Sequence, residues 1–316
     1  MAGYTVSGLS AYVETRKDVL VKDIVLGGVK GDTIANLSKQ LGIKTKERIN
    51  YLNLTPALQD GKGCGFSASG STVLTNRDLE TAIFKVNDTY CPDDLLGKFA
   101  EYMVRFGADA NAEGDFPFEE EILRQIVGGI NEQMEKLVWQ GATSAYSGTD
   151  LINGFITLAE NEDSASTITA STTAATTAIS VYSEIKKVIM LIPEEIIDKA
   201  VVFVAPAVYR AFVQEMVEKN YYHYESGKVE NNDLIFPGTN IAVHKTIGLT
   251  GDKKHIYASC YENMFYGADL MNDKEEVRVW FSDDDDVFKL KVKFNAGVAT
   301  AFPDEVVLLT STNDLV

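Results

Sequence analysis

Apolar residues recur every three to four positions from Phe118 to Trp139. Ile122, Ile126, Ile130, Met134 and Val138 form one ridge, with Leu123, Val127 and Leu137 beside it. That spacing predicts a long amphipathic helix. Pro117 suits a first helical position, and Glu119, Glu120 and Glu121 lie where the helix dipole favours anions. Gly128-Gly129 permits a bend or close packing within it. Towards the end of the chain the period changes to two. Lys289-Leu-Lys-Val-Lys293 alternates strictly, which gives a strand one wet and one dry face. Gly297 permits a bend or a close backbone approach, Pro303 and Asp304 make a turn, and Val306 to Leu309 is an apolar closing strand.

Other segments carry weaker patterns. Residues 1–46 hold short apolar clusters broken by Gly27, Gly28 and Gly31, which favours an extended arm, with a short helix over Ile34 to Leu41 stopped by Gly42. Glu47 to Leu54 and Leu79 to Val86 read as the two sides of a long hairpin. Gly61 to Ser71 between them is too long for a tight turn and too glycine-rich for a core element. Leu95, Leu96, Phe99, Met103 and Phe106 lie at helical spacing after Pro92. Ser164 to Ser180 is an uncharged Ser/Thr/Ala tract, read as a loop or edge strand joining two lobes. From Val181 the pattern becomes helix (Val181–Leu191), strand (Ala200–Ala205), helix (Pro206–Lys219, with Val208, Phe212, Val213, Met216 and Val217 inward) and further strands (Ile241–His244, Ile256–Cys260). Val277–Phe281 and Phe288–Phe294 form a hairpin around Ser282 to Val287.

With 316 residues, 45% hydrophobic and 24% charged, the chain is long enough for one large domain or two lobes with a substantial core. No run of about 18 apolar residues is present, so no transmembrane helix is expected, and the first residues lack the pattern of a secretory signal. Cys64, Cys91 and Cys260 are odd in number and widely spaced, which fits a reducing compartment better than a disulfide scaffold or a zinc site. A net charge of −17 weighs against nucleic-acid binding, which needs clustered Lys and Arg.

Catalytic signatures are missing from the sequence. Gly61-Lys62 is followed by Gly63, so there is no phosphate-binding loop. Gly65-Phe-Ser67-Ala-Ser69 fails as a nucleophile elbow at its last position. His223, His244 and His255 are too far apart to suggest a local metal site, and no feature marks Cys64 or Cys260 as an activated thiol. Asp283 to Asp286 offers oxygen ligands for a hard cation, but calcium-loop spacing is absent and a solvated hairpin tip is the better reading. Tyr221, Tyr222 and Tyr224 have no basic stripe beside them, so packing between subunits is preferred to base stacking.

A basic strand, a glycine break and then Pro303-Asp-Glu-Val-Val-Leu resembles the closing segment of the major capsid proteins of tailed bacteriophages, whose subunits have the Hong Kong 97-like fold. The helix from Phe118 resembles the spine helix of those subunits, and its Trp139-Gln-Gly-Ala-Thr exit and Asn153-Gly-Phe-Ile156 resemble the segment after that spine. The glycine-rich loop resembles their extended hairpin loop, and the elements from Val181 resemble their axial lobe.

The resemblance implies an α+β chain with an N-terminal arm (1–46), an extended hairpin loop (47–91), a peripheral domain with the spine helix (92–163 and 270–316) and an axial domain (164–269). It implies self-assembly into hexamers and pentamers of an icosahedral head around double-stranded DNA. A separate scaffolding protein, a portal protein and a decoration or head-auxiliary protein would be its partners. DNA contacts would be non-specific, with no membrane, cofactor, metal or catalytic residue. The location would be the virion capsid, assembled in the host cytoplasm. Inter-subunit contacts are expected at Lys62, Phe66, Val73, Leu74, Tyr221, Tyr222 and Tyr224. A Lys62–Asn295 cross-link between subunits ranks below a solvated Lys62. The rival readings are an encapsulin-like nanocompartment shell, a tail-tube or baseplate protein, and a cytoplasmic α/β enzyme.

Overall fold

The computed structural model describes residues 33–58, 70–91, 117–143, 152–162, 165–170, 180–219, 234–269, 276–311 and 313–316. In chain order they form strands β1 (Ser38–Leu41), β2 (Lys46–Pro56), β3 (Gly70–Glu80) and β4 (Ala82–Tyr90). Helices α1 (Pro117–Gln140) and α2 (Phe155–Glu160) and strand β5 (Ser166–Ala170) follow, then helix α3 (Val181–Leu191), strand β6 (Val201–Val204) and helix α4 (Pro206–Glu218). Seven further strands follow, with short 3-10 turns between some of them: β7 (Leu234–Ile235), β8 (Ala242–Lys245), β9 (His255–Ser259), β10 (Met264–Ala268), β11 (Glu276–Ser282), β12 (Val287–Thr300) and β13 (Val307–Ser311). The class is α+β, as expected.

Strict alternation makes β12 the axis of a five-stranded sheet. It pairs antiparallel with β11 and β10 along one edge and with β4 along the other, and β1 adds parallel to β10. Phe288, Leu290, Val292 and Phe294 point to one face and are buried, whereas Lys289, Lys291 and Lys293 point to the other. Helix α1 lies on the buried face. Leu123, Val127, Ile130, Met134 and Val138 are buried along it, and Gly128-Gly129 does not interrupt it. At about 1.5 Å per residue its 24 residues span about 36 Å.

The second sheet has the order β5-β13-β9-β6-β8-β7. Val307, Leu308 and Leu309 of β13 are all fully buried, which explains why that run is apolar rather than alternating. Helices α3 and α4 cover this sheet with Ile185, Val188, Ile189, Phe212 and Met216. Glu215 of α4 caps α3: its carboxylate accepts from Ser180 Oγ (2.6 Å), Val181 N (2.6 Å) and Tyr182 N (3.2 Å), satisfying donors a helix start leaves open.

Trp139 ties the end of α1 to α2 and the second sheet. Its ring packs against Phe203 (5.0 Å between centroids), Tyr257 (5.3 Å) and Phe155 (5.5 Å), and its Nε1 donates to Thr33 Oγ1 at 3.1 Å. Glu135, one turn earlier, accepts the backbone N–H groups of Thr33 and Ile34 at 2.8 Å each. Residues 33 and 34 are thereby fixed to the end of α1.

Several expectations need correction. Ile34 to Leu41 is a turn followed by β1, not a helix, because residues 38–41 complete the sheet edge beside β10. These residues belong to the body rather than to a free arm. The return side of the hairpin is Gly70–Glu80, since Lys46 to Pro56 pairs with it throughout, and residues 82–90 belong to the sheet instead. β13 lies inside the second sheet rather than with the peripheral segment 270–316, and β10 lies in the first sheet rather than with segment 164–269. Each lobe borrows a strand that sequence order assigns to the other. Val217, expected inward, is 56% exposed. The proposed helix after Pro92 and the tract from residue 171 to 179 lie outside the described residues.

Candidate functional site

The distinctive element is the β2–β3 hairpin. Its strands are 11 residues each, about 37 Å at 3.4 Å per residue, and pair only with each other among the described residues. Among the described residues, the contacts that fix its direction are at its base. Gly267 of β10 and Gly297 of β12 are cross-strand partners and share one sheet face. A Cβ on Gly297 would lie 2.9 Å from Glu80 C and 3.0 Å from Thr81 Cα, and closer still to the Glu80 carbonyl oxygen. A Cβ on Gly267 would lie 2.9 Å from both Ile43 Cδ1 and Leu79 Cδ2. The two glycines form a saddle on which the β3–β4 corner rests. Of the two roles open to Gly297, close approach is the one it serves, because β12 continues through it to Thr300.

Around the saddle a second, small core forms from Ile43, Ile49, Leu79, Ala299 and Ala301, with Phe265 packed against it. Leu79 is fully buried there. Burying such a side chain contributes roughly 1.5–3 kcal/mol, so the seat is held chiefly by Leu79 meeting a surface of glycine and alanine. Polar contacts then orient the hairpin. Arg77 forms a two-pronged ion pair with Glu162, which lies just beyond α2; its Nη2 donates to Oε2 at 2.8 Å. Lys46 bridges Asp78 (2.8 Å) and Glu80 (2.9 Å) across the hairpin, and Arg48 also reaches Asp78. Lys46 is so exposed that these pairs set geometry more than stability.

The anticipated contact residues are only partly placed. Val73 and Leu74 lie on β3, their backbones opposite Asn53 and Leu52. Lys62, Phe66, Tyr221, Tyr222 and Tyr224 lie outside the described residues, as do Cys64 and His223. Asn295, the considered cross-linking partner, is buried, with Nδ2 3.5 Å from the Lys44 carbonyl oxygen. Its amide is covered by the subunit's own chain and is not presented to a neighbour. The saddle was legible in sequence only as two isolated glycines; their pairing required the register.

Among the described residues, Cys260, His255 and His244 are engaged structurally. Cys260 is buried beside Glu305 (Sγ to Oε2 3.7 Å). Burial and that carboxylate push its thiol up, away from nucleophilic thiolate. His255 sits between Asp252 (Nδ1 to Oδ2 2.7 Å) and Glu160 (Nε2 to Oε1 3.4 Å) and ties α2 to the start of β9. Burial alone would lower its pKa, but the two carboxylates outweigh burial and raise it. His244 is buried edge-on to Phe203. Among the described residues no three His, Cys, Asp or Glu side chains gather as a metal site, and no helix is long and apolar enough to cross a membrane. Asp283 to Asp286 is an exposed turn with Asp286 in the left-handed region (φ 53°) and Asp285 paired to Lys289. An apolar groove of about 760 Å³ runs between α1 and β4, lined by Ile126, Ile130, Leu137, Phe84, Val86 and Leu290.

No protein-family model matches the sequence, and no curated protein does. Solved structures do. A chain of the satellite phage P4 procapsid that includes the size determination protein superposes with a TM-score of 0.58 at 11% identity, covering 100% of this chain and 94% of that one. A chain from Gordonia phage Cozz gives 0.57 at 10% identity, covering 90% and 87%. The capsid of an empty GTA particle gives 0.57 at 11% identity, covering 90% of each. At such identities the likeness is one of fold. The chain has the Hong Kong 97-like fold, and its structural neighbours are phage capsid proteins.

Proposed function

We propose that this chain is the major subunit of an icosahedral phage head, a structural protein that assembles with copies of itself into hexamers and pentamers around double-stranded DNA. The observation that carries this reading is the projecting β2–β3 hairpin. A two-stranded ribbon is at best marginally stable alone in water. Here it spans about 37 Å, and among the described residues its seat is at one end. Lying across a neighbouring subunit gives such a ribbon the third layer it lacks. The fold of the whole chain, and its likeness to chains taken from phage particles, supports the same reading.

The mechanism is geometric rather than chemical. Helix α1 and the first sheet form a stiff wall element, and the second sheet with α3 and α4 packs around the capsomer axis. The hairpin straps adjacent subunits. Many modest apolar contacts add up over a closed shell. The subunit is not an enzyme in this reading. A separate scaffolding protein, a portal and a head-auxiliary protein are its partners, DNA is enclosed without sequence recognition, and the protein resides in the virion capsid. Replacing residues 52–74, the outer part of the ribbon and its loop, with a two-residue turn tests the strap. Lengthening or shortening a loop changes closure entropy by only about 0.6 kcal/mol per doubling, so the expected result is an unchanged melt with no closed particles. Normal particles from that variant contradict the assignment.

A further inference from the structure

The exposed face of the first sheet gathers basic residues that sequence order disperses. Cross-strand register places Lys289 beside Trp280 and Thr89, Lys291 beside Arg278 and Asn87, and Lys293 beside Lys85 and Glu276. Directly paired residues share a face, so Lys85, Arg278, Lys289, Lys291 and Lys293 stand together on the side away from α1. Trp280 beside them is 42% exposed. Two of the pairs, Lys291–Arg278 and Lys293–Lys85, set like charges opposite each other. Asp285 pairs with Lys289 and offsets part of the charge. In a chain with a net charge of −17, such a concentration of cations stands out.

We infer that this face docks on the acidic Asp283–Asp286 turn of an adjacent copy of the chain, an inference that rests on the shell-subunit reading. The size of the face supports that occupant. Lys289 to Lys293 covers about 14 Å along β12, and three strands cover about 10 Å across it. That is the footprint of a turn. The net charge of −17 opposes nucleic acid as the occupant. The Asp283–Asp286 turn holds four consecutive carboxylates, all exposed, at the tip of the β11–β12 hairpin. A face of one subunit meeting the tip of the next is a head-to-tail contact, which closes into a ring when the rotation is right.

The test uses the full chain and a charge swap. Lys291→Glu with Lys293→Glu places carboxylates opposite Arg278 and Lys85, and one of them also in register with Glu276, so the melting temperature is expected to stay near the wild-type value. Its self-association, followed by sedimentation velocity, is expected to need about tenfold more protein than the wild type, as loss of close interfacial charge pairs implies. Adding Asp283→Lys and Asp284→Lys to the same chain is expected to restore association. Wild-type association by the Lys291/Lys293 variant overturns the inference while leaving the shell reading intact, and so does failure of the swap to rescue. Unchanged association with loss of duplex DNA binding in a gel shift assigns the face to nucleic acid and also overturns it. A wild-type chain that remains monomeric at all concentrations overturns both.

Discussion

Substituting Gly297 by alanine tests how the hairpin is anchored. The new Cβ meets backbone, not a movable side chain: 2.9 Å from Glu80 C, 3.0 Å from Thr81 Cα and nearer still to the Glu80 oxygen. Ordinary contact begins near 3.4 Å, so the β3–β4 corner must rise from β12. Overpacking of this kind costs about 1–3 kcal/mol, and lifting the corner also loosens Leu79, whose full burial contributes roughly 1.5–3 kcal/mol. A loss of about 2–4 kcal/mol is expected from the two together, measured by urea unfolding with circular dichroism detection. Gly129 on α1 is the control. A Cβ there meets no atom within 4 Å, and Gly→Ala in a helix interior stabilises by up to about 1 kcal/mol. If Gly297→Ala unfolds at the wild-type midpoint, the hairpin does not rest on the glycine saddle.

The contacts at Glu215, His255 and Trp139 set three further outcomes. Burial pushes the Glu215 carboxyl up, but its hydrogen bonds from Ser180, Val181 and Tyr182 and the nearby Lys219 outweigh burial and hold it below the usual range. The stability it contributes is therefore present above pH 4.5 and lost as pH falls through the lowered value. Glu215→Gln costs about 1–2 kcal/mol at about pH 7, as cap losses do, and flattens the acid limb of the melting curve. His255 has a raised pKa, so its contribution is full below pH 6.5 and fades as pH rises through the folded value. His255→Gln should remove that alkaline slope, and an unchanged slope refutes the carboxylate bracket. Trp139→Ala empties the contact point of Phe155, Phe203 and Tyr257 and is expected to cost about 3–5 kcal/mol in chemical unfolding.

The sequence was most legible where a single period governs a segment. Phe118 to Trp139 reads as one helix because one face of it is buried along Leu123, Val127, Ile130, Met134 and Val138, and Lys289 to Lys293 alternates because β12 is buried on one side and wet on the other. Pairing was less legible. Leu79-Glu80 reads equally well as the start of a returning strand or the end of one, and only the register with Glu47 and Lys46 decides it. β13 sits in a different sheet from its sequence neighbour β12 because the short turn at Pro303–Glu305 redirects the chain between layers, which no local pattern encodes. The basic face was invisible for the same reason. Lys85 and Arg278 are far apart in sequence, and their meeting around β12 exists only in the fold.

Electron microscopy of the purified full chain over a range of concentrations tests the central claim most directly. Rings of five or six subunits, or closed shells, are the predicted result. A population of single subunits at every concentration contradicts a shell-forming role.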